Sequence, residues 1–178
     1  YAKYQNGKIQ DFFETELGKR ISCEIDTSTL NVSYRCNQPI CEYASKLYPN
    51  LPETKSSSTS ENHGNYHQGI FLVETESIAD YQKRFSAVQL RWDRRTVILS
   101  NYPVMNFGEA KGEAFDRVLI YPTEDMRTWV NNNNSSLSEG ARAKFYVALT
   151  RARYSAAIAM DFNDVHEIQG VNKWKFSG

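Results

Sequence analysis

Residues 136–160 read SLSEGARAKFYVALTRARYSAAIAM. Ser136-Leu137-Ser138-Glu139 has the form of a capping box, Ser136 at the N-cap and Glu139 three residues on, and predicts a helix start. Phe145, Ala148, Leu149 and Ala152 then fall on one apolar stripe of that helix. Ala156 to Met160 is a short apolar run and reads as a buried strand. Arg151 lies off the stripe, so helical geometry does not require its burial.

Working outward, the same alternation recurs. Leu30, Val32 and Tyr34 alternate with polar residues, as in a strand. Asn37-Gln38-Pro39 can open a helix, and Ile40, Tyr43, Ala44, Leu47 and Tyr48 then share one face. Arg35 therefore stands where a strand gives way to a helix, the kind of edge where ligands collect in open α/β sheets. Pro49 to Gly69 is polar and without period, and residues 50–68 are expected to form a surface loop. His63 and His67 stand four apart within it, a spacing that builds no metal site outside a helix. Gly69 to Val73 reads as a strand, and Ile78, Tyr81, Phe85, Val88 and Trp92 follow at helical spacing. Thr96 to Leu99, Val104 to Phe107 and Val118 to Tyr121 supply further strand-like runs. Together these predict an α/β fold with helices around a mostly parallel sheet.

The 178 residues suffice for one well-cored domain, expected over 1–178. Composition is that of an ordinary globular protein, 40% apolar and 24% charged. The formal net charge is zero, so contact with nucleic acid has to be local rather than a broad basic field. No apolar run approaches the roughly 18 residues of a membrane span. Three cysteines (Cys23, Cys36, Cys41) without a CxxC pair read as reduced thiols, which places the protein in the cytoplasm. A first residue of Tyr rather than Met leads us to expect a fragment of a longer protein.

Three segments carry the chemistry, in this order: LNVSYRCNQPICEYAS (30–45), NFGEAKGEAFDRVLI (106–120) and ARAKFYVALTRAR (141–153). They resemble motifs IV, V and VI of UvrD/Rep-like superfamily 1 DNA helicases, and YVALTRAR is the most specific of them. The resemblance frames the chain from about residue 28 to 161. It implies a second RecA-like lobe without a P-loop of its own, facing ATP and Mg2+ held on a first, N-terminal RecA-like lobe. It implies that Arg35 and Arg151 reach the terminal phosphate as catalytic cations. Gly112 and Glu113 would lie toward the nucleotide, while Asn106, Gly108 and Lys111 would contact single-stranded DNA. Arginine suits such a role because it stays charged and presents a planar fork to phosphate oxygens.

The turn departs from the family pattern in places. Asn106 and Gly108 replace a threonine and a histidine that touch DNA. Ala114 stands where a glutamate contacts the ribose, with Glu113 shifted by one place. Asp116 matches a common aspartate and is expected to cap the turn. No Walker A loop or acidic Walker B strand is present, so this stretch alone is expected to hydrolyse no ATP. The main reading is the C-terminal motor lobe of an ATP-dependent helicase or translocase. The alternative is a degenerate RecA-like lobe that binds nucleic acid or a protein partner.

Overall fold

A computed structural model describes residues 20–21, 31–57, 67–99, 101–162 and 167–175. Backbone contacts divide the chain into two compact units, Tyr1–Asn31 and Val32–Gly178. The helices and strands among the described residues all belong to the second. Cys23, Leu30 and His63 lie outside the described residues.

The second unit is built on six parallel strands. In chain order its elements are β1 (Val32–Ser33), α1 (Gln38–Ser45), β2 (Lys55–Ser56), β3 (Gly69–Val73), α2 (Ile78–Phe85) and β4 (Val88–Arg91). Then come β5 (Val104–Asn106), β6 (Phe115–Tyr121), α3 (Glu124–Asn131), α4 (Glu139–Leu149), β7 (Ala152–Ala159) and β8 (Val171–Trp174). The main sheet has the order β5-β4-β6-β7-β3-β8, and every neighbouring pair is parallel. β1 and β2 form a separate two-stranded parallel sheet. Among the described residues, no helix is long and apolar enough to cross a membrane.

Both faces of the central strands are buried, which is why they read as apolar runs rather than as alternation. Ile70, Leu72, Val118, Ile120, Ala156 and Ile158 turn to one face, where they join Ile40 and Tyr43 of α1, Trp129 of α3 and Phe145 of α4. Phe71, Val73, Leu119, Tyr121, Ala157 and Ala159 turn to the other, against Ile78 and Tyr81 of α2. Each fully buried Ile, Leu or Phe contributes about 1.5–3 kcal/mol, so these two layers dominate the stability. Alanines make up half of β7, with Ala156 in one core layer and Ala157 and Ala159 in the other.

Five local expectations are corrected. The apolar spacing from Ile78 to Trp92 does not mark one helix: α2 ends at Phe85 and Ser86 takes a left-handed backbone (φ 47°), after which Val88 starts β4. Buried Gln89 sits inside that strand because Tyr121 Oη donates to its Oε1 (2.7 Å) while its Nε2 donates to the Leu99 carbonyl (2.7 Å). That second bond replaces the strand expected at 96–99, and the edge strand is β5 instead. The helix cap is Ser138 rather than Ser136. Ser138 Oγ accepts from the Ala141 amide at 3.3 Å, which makes Glu139 the first helical residue rather than the third. α4 also ends earlier than its stripe suggests, and Ala152 is the first residue of β7. Within the expected loop 50–68, residues 54–57 are tied down: Thr54 N donates to Ser45 Oγ, Ser56 N to Gln38 Oε1 and Ser57 N to the Ser33 carbonyl. Residues 58–66 lie outside the described residues.

Candidate functional site

Two turns meet at the amino edge of the main sheet, where β6 and β7 begin. The first, between β1 and α1, carries Arg35. Ser33 Oγ accepts from the amides of Arg35 (3.3 Å) and Cys36 (3.0 Å), which sets the turn by a short side-chain-to-backbone bond. Asn37 then caps α1 with Oδ1 on the Ile40 amide (3.3 Å), and its Nδ2 donates to the Tyr154 carbonyl in β7 (2.8 Å). One asparagine thus ends the turn and fastens it to the sheet.

The second turn, Thr150-Arg151, joins α4 to β7. Arg35 Nη1 donates to the Thr150 carbonyl at 2.8 Å, and the Cys36 thiol lies 3.4 Å from the same oxygen. Arg151 is held from the other side, its Nε donating to the Val147 carbonyl (3.2 Å) and its Nη1 to the Glu113 carbonyl (3.2 Å). Burial depresses the Arg151 pKa, and the positive charge of Arg35 depresses it further. The two guanidinium groups therefore stand in one another's field. Neither has a carboxylate partner among the described residues. The Cys41 thiol, and then the nearby hydroxyl of Ser33 and the two arginines, hold the Cys36 thiol below the ordinary range, while burial opposes them. Its neighbour Cys41 is pushed up, first by that shared hydrogen bond and then by burial.

Such an arrangement suits a polyanion. Backbone carbonyls orient each arginine without neutralising it, and two uncompensated cations in a partly desolvated corner attract phosphate oxygens. The sequence placed Arg35 at a strand-to-helix edge, and that holds only for the small β1–β2 sheet. Relative to the main sheet the arginines gather at the amino edge, because both turns sit at the starts of its strands.

The turn between β5 and β6 runs into this corner. Asn106 ends β5, and its carbonyl accepts from the amides of Glu109 (3.0 Å) and Ala110 (3.2 Å). Its Nδ2 donates to Glu109 Oε1 (3.0 Å), its Oδ1 accepts from Arg91 Nε (3.3 Å), and its own amide donates to Glu109 Oε2 (2.9 Å). The Asn106 side chain is thus engaged at both ends. Ala110 is fully buried and pins the turn, Gly108 and Lys111 are exposed, and Gly112 adopts a positive φ of 97°. Glu113 meets the corner through its carbonyl, the one Arg151 grips, rather than through its carboxylate.

Of the residues the sequence singled out, Arg35, Arg151 and the Glu113 backbone come together. Asn106, Gly108, Lys111 and Gly112 lie along the turn that leads to them. Among the described residues Asp116 pairs with Arg153 on the neighbouring strand at 3.0 Å rather than capping the turn, both partners being well exposed. Thr150 was not anticipated. It acts through its carbonyl, and a backbone acceptor leaves no mark in the side-chain pattern.

No protein-family model matches the chain, and no curated protein does. Solved structures similar to it include the C-terminal domain of a possible DNA helicase from Lactobacillus plantarum WCFS1, at 13% identity and a TM-score of 0.49, covering 79% of this chain and 98% of that one. The PRRSV helicase is similar at 21% identity and a TM-score of 0.44, over 73% of this chain and 22% of its own. Arterivirus nonstructural protein 10, a helicase, is similar at 20% identity and a TM-score of 0.44, over 76% of this chain and 26% of its own.

Proposed function

We propose that this chain is the C-terminal motor lobe of an ATP-dependent helicase or translocase acting on DNA, of the UvrD/Rep-like type. A separate first lobe would hold ATP and its Mg2+, and this lobe would deliver Arg35 and Arg151 to the terminal phosphate. The observation that supports it best is the meeting of two arginines from distant segments on one corner, with Arg35 Nη1 on the Thr150 carbonyl across 115 residues of sequence.

Bound ATP and Mg2+ would supply the scissile phosphoanhydride and its counter-charge. Arg151, with Nε and Nη1 committed to carbonyls, keeps its remaining N–H groups for an equatorial phosphoryl oxygen. Arg35 keeps its own in the same way and adds a second cation. As negative charge spreads over the equatorial oxygens of the transferring group, both cations would attract it together, so the pair favours the transition state over the ground state. The turn from Asn106 to Glu113 would link a DNA strand at Lys111 to the Arg151 grip at Glu113.

The test is phosphate release by the longer protein that carries the first lobe, with and without single-stranded DNA, for wild type, R35A and R151A. The two variants should lose turnover while nucleotide affinity changes far less. The 178-residue chain alone should release no phosphate. Turnover by the isolated chain that is lost in R151A overturns the two-lobe reading.

The second reading is a binding module that no longer runs a motor. Ala114 in place of the ribose-contacting glutamate, and the Asn106 amide already engaged by Glu109, both favour it. Nanomolar binding of single-stranded DNA by the isolated chain, insensitive to salt, would select this reading.

A further inference from the structure

Trp92, just past the end of β4, lies outside every segment that carries the motor reading. The chain's other tryptophans, Trp129 and Trp174, are 3% and 8% exposed and belong to the two cores. Trp92 is only partly buried. Phe107 meets its ring edge-on, with centroids 6.4 Å apart at 89°. The Lys144 ammonium of α4 stands over the ring, 3.8 Å from its centroid.

The flanking sequence is Arg91-Trp92-Asp93-Arg94-Arg95, with Arg94 and Arg95 exposed. Two acidic side chains of these segments are occupied. Asp93 is bound to Arg95 at 2.6 Å, and Glu109 holds the Asn106 amide. The segment is bonded to the root of the β5–β6 turn through Arg91 Nε on Asn106 Oδ1 (3.3 Å) and the Phe107 amide on the Arg91 carbonyl (2.8 Å). That turn carries exposed Lys111 and ends on the carbonyl gripped by Arg151.

We infer that Trp92 and Lys144 form a stacking site for one base of a single-stranded nucleic acid, with exposed Arg94 and Lys111, on the segments that adjoin it, available for its phosphates. The inference rests on the motor-lobe reading and adds a base contact to it. An ammonium over an aromatic face is a weaker partner than a stacked base. An arriving base therefore displaces Lys144, and the released ammonium meets the phosphate of the same nucleotide. Only an unpaired base can present its face in this way, which selects single strands over duplex. The net charge of zero is no obstacle, because the cations needed are local.

The test is a fluorescence titration of the intact 178-residue chain with oligothymidylate and with oligouridylate of about ten nucleotides, at low and moderate salt. Trp92 is the accessible emitter, so stacking should quench its share of the emission. Trp92→Leu, which keeps an apolar side chain on the core, should weaken binding about tenfold or more. Trp92→Phe should retain most of the binding and lose the quenching. Lys144→Ala should make the salt dependence shallower by about 0.7 in the logarithmic slope, one phosphate's worth. Circular dichroism melts confirm that each variant is folded, and the tighter oligonucleotide identifies the sugar of the preferred strand. Binding by Trp92→Leu within twofold of wild type, quenching that persists in Trp92→Phe, or no binding to either strand at low salt overturns the proposal. Failure here leaves the R151A turnover defect standing, whereas failure of the motor reading shows as normal R151A turnover whatever Trp92 does.

Discussion

Arg35 donates through Nη1 to the carbonyl of Thr150 at 2.8 Å, and that carbonyl belongs to the peptide unit that leads into Arg151. Any shift of the corner between α4 and β7 therefore moves both arginines together. The Glu113 carbonyl on Arg151 extends this linkage to the β5–β6 turn.

Arg151→Ala, made in a protein that supplies the first lobe, should lower kcat by about 10³-fold or more while nucleotide affinity changes far less. Arg151→Lys should recover little, because an ammonium cannot hold two carbonyls and a phosphoryl oxygen through one planar fork. Steady-state ATPase rates and nucleotide titrations check both. Near-normal turnover in Arg151→Ala would remove the corner from the chemistry.

Arg35→Ala should lower turnover similarly and also destabilise the isolated lobe. Its bond to Thr150 is a charged donor on a backbone acceptor, a type worth about 1.5–3 kcal/mol. Chemical denaturation of the isolated chain should show a lower midpoint with an unchanged slope. Arg35→Lys should restore part of the stability and little of the turnover.

Much of this corner was legible in the sequence. The resemblance of YVALTRAR to motif VI singled out Arg151, and the resemblance of the segment around the strand-to-helix junction to motif IV singled out Arg35. Two things were not legible: that both face one corner, and which acceptors hold them. Thr150, Val147 and Glu113 act through carbonyls, which every residue possesses. The merged helix at 78–92 has a comparable cause. Ser86 breaks the helix by backbone conformation alone, and Ala87, Gln89 and Leu90 are all buried although one of them is polar. Helical spacing of apolar residues cannot distinguish that pattern from a helix followed by a strand buried on both faces.

His67 should make the fold sensitive to acid. Its ring is stacked between Phe71 (3.8 Å) and Phe85 (4.0 Å), with Nε2 3.0 Å from Tyr81 Oη. Burial, then the charges of Arg117 and Arg84, lowers its pKa from 6.5 to about 3. The unfolded chain therefore takes up a proton that the folded chain refuses between those two values. The contribution is complete above pH 6.5 and declines as the pH falls toward 3. Allowing for the ring's partial exposure, about 1 kcal/mol should be lost between pH 6.5 and 5. His67→Phe keeps the stacking and removes the titration, so its stability should fall less than wild type over that interval. Urea denaturation at the two pH values measures the difference, and parallel losses in both proteins would refute the assignment.

Gly108 and Gly112 separate backbone geometry from contact within one turn. A Cβ at either position meets no atom within 4 Å, so neither substitution to alanine introduces a clash inside the lobe. Gly112 differs in its φ of 97°, a conformation that L side chains rarely adopt. Gly112→Ala should therefore cost about 1 kcal/mol or more of stability, or else shift the turn. A shift would move the Glu113 carbonyl away from Arg151 Nη1 and lower ATPase turnover without touching either cation. Gly108→Ala should leave the stability within about 0.5 kcal/mol of wild type. If a strand passes close to the Gly108 backbone, the added methyl should weaken oligonucleotide binding and leave DNA-independent turnover intact. Denaturation midpoints, anisotropy with labelled oligonucleotide, and ATPase rates with and without DNA report the three effects separately. Equal stability losses at both positions would mean that the conformation at Gly112 does not set the turn, and the proposed link between Lys111 and Arg151 would fall with it.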